Sequence, residues 1–148
     1  MRVLAALVLF SNTGWGAAEY TCKPAPSARM TVWGHNHVLV DLSSKPLVLL
    51  RGSVRALSDQ AVDGALVEVL DLGGAARQPS QTAEDARTRT RVAACITGQT
   101  GGFEFDLPPG RYELITSKPD WNSTSVLVVV DRRRGKRRDV VIPLKVGD

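Results

Sequence analysis

The stretch Thr97-Gly98-Gln99-Thr100-Gly101-Gly102-Phe103-Glu104-Phe105-Asp106-Leu107-Pro108-Pro109-Gly110-Arg111-Tyr112-Glu113-Leu114 decides the fold class. Successive side chains of an extended chain point to opposite faces, so Phe103 and Phe105 share one face and Glu104 and Asp106 the other. Tyr112 and Leu114 oppose Arg111 and Glu113 in the same way. This two-residue period is that of half-buried strands, not of a helix. Between the two segments, Pro108-Pro109-Gly110 predicts a type II turn, with Pro109 fixing φ and Gly110 in the positive-φ position. Gly101-Gly102 predicts a hairpin between Thr97 and Phe103.

Working outward, segments of the same kind recur with no helical period between them. They are Thr31–Leu42, Leu47–Leu57, Ala65–Asp71, Thr88–Thr97, Thr124–Asp131 and Asp139–Lys145. Val126–Val130 is apolar throughout, which predicts a central strand covered on both sides. Short strands at this spacing predict an all-β sandwich or barrel. The polar run Gly73–Arg87 predicts a loop, and Glu19–Met30, with Pro24 and Pro26, an extended linker.

At the amino end, Met1-Arg2 is followed by the apolar run Val3–Phe10, then Ser11-Asn12-Thr13 and Gly16-Ala17-Ala18. One positive charge, a short apolar core and small residues before position 19 predict a signal peptide cut after Ala18. The run is far shorter than the roughly 18 residues of a membrane span, and no transmembrane segment is expected. The predicted organisation is a signal peptide over 1–18, an extended linker over 19–31 and one β domain over 32–148, secreted or periplasmic. In an oxidising compartment the two cysteines, Cys22 and Cys95, are candidates for a disulfide, with two separate thiols as the alternative. No Cys-x-x-Cys pair is present to suggest a zinc site.

From Gly52 onward the chain resembles the carboxypeptidase regulatory-like domains, a branch of the transthyretin-like sandwiches. Gly52-Ser53-Val54 and Gly64-Ala65-Leu66-Val67-Glu68-Val69 resemble the family's first strands. Thr97 through Gly101 to Phe103-Glu104-Phe105 resembles its Thr-Asp-x-x-Gly-x-Phe-x-Phe hairpin, with Gly98 where the family often has Asp. Leu107-Pro108-Pro109-Gly110-Arg111-Tyr112-Glu113-Leu114 resembles its Pro-Gly-x-Tyr-x-Leu entry. The resemblance implies an all-β, seven- to eight-stranded antiparallel Greek-key β-sandwich of transthyretin-like type, and a non-catalytic companion that binds or spaces other modules, with no cofactor.

Enzyme readings find little footing. Intradiol dioxygenases hold iron with two tyrosines followed by His-x-His, whereas this chain runs Tyr20, His35-Asn36-His37, Tyr112. The order fails that comparison, and no Gly-x-Ser-x-Gly, His-Glu-x-x-His or phosphate-loop motif is present. On a strand His35 and His37 point to one side, which makes them candidate metal ligands, but no third ligand lies near in sequence.

The sharpest local feature is Asp131-Arg132-Arg133-Arg134-Gly135-Lys136-Arg137-Arg138-Asp139, six cations around one glycine. It predicts a basic hairpin tip for an envelope polymer, an anionic ligand or an acidic partner protein. No aromatic interleaves the run to stack bases, so nucleic acid is not expected. Trp33 and Trp121 are candidate glycan contacts, which would make the chain a carbohydrate-binding module of the cell envelope. Asn122-Ser123-Thr124 fits a glycosylation sequon.

Overall fold

Alternation of apolar and polar side chains writes itself directly into the burial of the strands. In the computed structural model, which describes residues 19–25, 36–73 and 78–147, nine strands and one short helix are present among those residues. They are β1 (Cys22–Pro24), β2 (Val38–Asp41), β3 (Leu50–Arg55), β4 (Leu66–Asp71), α1 (Ala83–Thr88), β5 (Arg91–Thr97), β6 (Gly102–Phe105), β7 (Gly110–Ser117), β8 (Thr124–Val130) and β9 (Val140–Pro143). Six form one sheet in the order β1-β5-β4-β7-β8-β2, and three form a second in the order β6-β3-β9.

Both sheets turn apolar faces inward onto one core. Val67 and Val69 from β4, Tyr112 and Leu114 from β7, and Val126, Val128 and Val130 from β8 meet Leu50, Val54, Phe103, Phe105, Val140 and Ile142 of the smaller sheet. Full burial of one such aliphatic or aromatic side chain contributes about 1.5–3 kcal/mol, so this layer carries most of the stability. At Gly52 a Cβ would collide with the carbonyl of Val140, its partner in β9. The close approach of β3 and β9 therefore requires glycine.

The expected antiparallel Greek-key sandwich of transthyretin type is corrected by the pairing. β2 joins β8 in parallel and β9 joins β3 in parallel, so both sheets are mixed and open. Parallel neighbours need long connections, and local turn signals cannot report them. The two turns read from sequence are also different. Gly101 does take positive φ, 69°, but β5 and β6 belong to different sheets and form no hairpin. Gly110 is not among the positive-φ residues and opens β7. Its small size serves Tyr112, whose phenol oxygen would lie 3.2 Å from a Cβ there and donates to the Pro108 carbonyl at 2.6 Å.

The segment read as an extended linker contributes β1, which pairs antiparallel with β5 at the sheet edge. Cys22 and Cys95 are joined by a disulfide across that pair. Within the segment read as a loop, Thr82 caps α1 by accepting from the Asp85 amide, while the Asp85 carboxylate accepts from the Gln81 amide. Ala86 of α1 covers Leu70 and Ile115 on the outer face of the large sheet. Beneath the same segment lies Glu113, fully buried, which accepts from the Ser80 amide at 3.0 Å and the Ser80 hydroxyl at 2.7 Å and pairs with Arg89 at 3.4 Å. A buried carboxylate persists only with such partners.

Candidate anion-binding cleft

The basic run is shaped by its first residue. Asp131 accepts the Arg133 and Arg134 amides at 3.0 and 3.2 Å on one carboxylate oxygen. These backbone donors hold its carboxyl below the usual carboxylate range. The resulting turn closes with the Gly135 amide donating to the Asp131 carbonyl at 2.7 Å. A Cβ at Gly135 would strike that carbonyl and the Leu47 backbone. Absence of a side chain lets the chain lie against Pro46–Val48. There Leu47 and Lys136 pair in parallel, with Lys136 N donating to Pro46 O at 3.1 Å and Val48 N to Lys136 O at 3.2 Å.

This is not the hairpin tip read from sequence. β8 and β9 lie in different sheets, so residues 131–138 cross between sheets and are fastened along one side to the segment before β3. The fastening distributes the six cations. Arg134, Lys136 and Arg138 join Ser44, Lys45 and Pro46 around a cleft of about 410 Å³. Arg132 and Arg137 line a separate, apolar cavity. Arg133 lines neither of these two cavities.

Arg138 is the best-fixed cation of the cleft. Its Nη2 donates to the Lys45 carbonyl at 2.6 Å, while its Nε is buried with no hydrogen-bond partner. A buried guanidinium donor without an acceptor costs about 1–3 kcal/mol. Four cationic side chains, Lys45, Arg134, Lys136 and Arg138, converge here. Sequence reading missed Ser44, Lys45 and Pro46. They stand some 90 residues before the basic run and carry no local signal; only the Leu47–Lys136 pairing brings them in.

The histidines separate. His35 and Trp33 lie outside the described residues. His37 is half-buried just before β2, with Nδ1 2.6 Å from Ser123 Oγ and Nε2 2.8 Å from Ser125 Oγ. Burial lowers its pKa to about 4, so the ring is neutral at pH 7. A neutral imidazole has one donor and one acceptor nitrogen, so one serine accepts from it and the other donates to it. Both serines are fully buried and inaccessible to a substrate. The arrangement fastens the start of β2 to β8. Among the described residues no three His, Cys, Asp or Glu side chains gather as a metal site.

Tyr112 and His37 stand on opposite faces of the large sheet. Tyr112 packs in the core opposite Val128, whereas Ser125, which holds His37, is opposite Ile115 on the outer face. Tyr20 lies at a third place, where its phenol donates to Asp139 at 2.5 Å beneath the Arg51 guanidinium. These side chains cannot share one ion. Trp121 is partly buried against the core, with Lys118 Nζ 5.5 Å from its ring centroid. Asn122 of the sequon is buried, so the folded chain does not present it for glycosylation.

No family model and no curated protein matches the chain. Among solved structures it is similar to hydroxyquinol 1,2-dioxygenase from Pseudomonas putida DLL-E4, at 9% identity and a TM-score of 0.43 over 86% of this chain and 67% of that one. It is similar to chlorocatechol 1,2-dioxygenase from Pseudomonas putida, at 12% identity and a TM-score of 0.39 over 86% and 71%. It is also similar to catechol 1,2-dioxygenase from Pseudomonas arvilla C-1, at 12% identity and a TM-score of 0.40 over 96% and 68%. These neighbours are dioxygenases rather than carboxypeptidase regulatory-like domains. They overturn that family expectation, and with it the transthyretin-like assignment and the non-catalytic binding or spacer module it implied. Neighbours that are enzymes likewise withdraw the expectation that the chain is no enzyme. Likeness at this identity and TM-score assigns this chain no activity of its own.

Proposed function

We propose that the chain binds a polyanionic ligand in the cleft formed by Ser44, Lys45, Pro46, Arg134, Lys136 and Arg138. The observation that carries this reading is the convergence of four cationic side chains, Lys45, Arg134, Lys136 and Arg138, on one cleft, with Arg138 hydrogen-bonded to the Lys45 carbonyl. A guanidinium presents several donors in a fixed plane and suits phosphate or carboxylate oxygens. Among the described residues no aromatic side chain lines the cleft, so nothing there stacks a nucleic-acid base. The site is proposed for an exported protein. The leader pattern over residues 1–18 and the Cys22–Cys95 disulfide, a bond that persists in oxidising compartments, support export.

Inorganic polyphosphate, titrated by calorimetry into the disulfide-intact protein at about 50 and about 200 mM salt, tests the site. Binding should weaken steeply at the higher salt. It should drop at least about tenfold in Arg134→Gln/Lys136→Gln/Arg138→Gln, each lost ionic contact removing a fraction of the affinity. Equal affinity in the triple variant overturns the reading.

A further inference from the structure

The Pro46–Val48 segment pairs with Lys136 beside the polycationic cleft. Next to it in sequence, Val48 and Leu49 line, with Phe105 and Leu107, a separate cavity of about 220 Å³ that also has Arg132 and Arg137 on its wall. An apolar cavity of about 150 Å³ holds a benzene ring, so this one has room for a single ring and a small substituent. Val48 and Leu49 are only half-buried, so the cavity communicates with solvent, whereas Phe105 and Leu107 are buried beneath.

The charges are as particular as the size. Arg132 already faces Asp106, at 3.4 Å, in an exposed pair. Arg137 makes no hydrogen bond or ion pair among the described residues. Two cations and one carboxylate leave a single net positive charge at an apolar cavity, which complements one negative charge on an apolar body. The polycationic cleft differs in both respects, with four cations and no large apolar side chain.

We infer that this cavity is a separate binding site for a small monoanionic carboxylate carrying one apolar ring. The ring lies against Leu49 and Phe105 and the carboxylate meets the Arg137 guanidinium. Arg132 stays with Asp106. An exposed pair of this kind contributes little by itself, so Arg132 can also turn toward the ligand.

Three probes separate the requirements: benzoate has ring and charge, benzyl alcohol the ring alone, acetate the charge alone. Chemical-shift titration of the full, disulfide-intact protein should show saturable benzoate binding, at least about tenfold tighter than either of the others, as one charge-assisted contact on an apolar platform supplies. Arg137→Gln should weaken benzoate about tenfold, and Leu49→Trp, which fills the cavity, should abolish it. Lys23→Gln, an equal loss of charge on β1, should leave it unchanged, and circular dichroism confirms the fold of each variant. Saturating inorganic phosphate should not displace benzoate. Acetate or benzyl alcohol binding as tightly as benzoate, an unaltered Arg137→Gln, or displacement by phosphate overturns the inference. The last result would place benzoate in the polycationic cleft and leave that first site standing.

Discussion

Arg138 donates from Nη2 to the carbonyl of Lys45 at 2.6 Å, joining two residues 93 apart in the chain. Through this contact the basic run becomes one wall of a cleft instead of a solvated loop. It also ties the ligand-binding geometry to the stability of the ribbon, because the same side chain serves both.

Arg138→Lys should therefore separate charge from geometry. Lysine keeps the cation but not the planar fork, so polyphosphate affinity should fall several-fold while its salt dependence stays near that of the parent. Arg138→Ala should in addition lower unfolding stability by about 1 kcal/mol, through loss of one charge-assisted hydrogen bond at a half-buried site. Calorimetric titration beside urea denaturation reads both effects.

Gly135→Ala tests the packing of the crossing. The new Cβ would meet backbone atoms of Leu47 and Val48 and the Asp131 carbonyl, none of which can move as a side-chain end would. A loss of about 1–3 kcal/mol is expected in chemical denaturation. Polyanion binding should weaken with it, since the turn no longer seats against Pro46–Val48.

Glu113→Ala should cost about 3–5 kcal/mol, the range for breaking a buried ion pair by removing one partner. The Arg89 guanidinium, largely buried, would be left facing an empty space, and Ser80 would lose the acceptor of both its amide and hydroxyl. Limited proteolysis should then cut between Ser80 and Thr90 faster than in the parent. Unchanged resistance would mean α1 is held by Ala86 packing alone.

Acid should weaken the fold through His37. Its folded pKa, about 4, lies below the ordinary 6.5, so between these values the unfolded chain binds the proton and the folded chain does not. Stability from this group is thus fully present above about pH 6.5 and declines as pH falls toward 4. Because the ring is half-exposed, solvent screening reduces the effect to about 1–2 kcal/mol. Midpoints of urea unfolding measured across this range should fall in the parent and stay flatter in His37→Gln.

Breaking the disulfide with Cys22→Ser/Cys95→Ser should lower stability by about 4 kcal/mol, since the bond closes a separation of 73 residues in the unfolded chain. β1 then holds the edge of the large sheet by backbone pairing alone, and its amides should exchange with solvent faster than those of β4.

Local pattern by itself determined where most strands run. Phe103 and Phe105 alternate with Glu104, and in the fold the two rings are buried while Glu104 is exposed, because a pleated chain sends neighbouring side chains to opposite faces. The density of arginine and lysine over 132–138 was equally plain. What tertiary structure alone decided was partnership. The parallel joining of β2 to β8 and of β9 to β3 depends on long connections whose ends carry no mutual signal. Gly110 read as a turn residue and proved to be room for the Tyr112 phenol. Glu113 stood on the polar side of an alternating strand and became fully buried, because the segment carrying Ser80 and Arg89 covers that face. The division of the basic run into a polycationic cleft and an apolar cavity followed only from its parallel contact with Leu47. Alternation reports which face a side chain takes; it holds no record of what will be packed against that face.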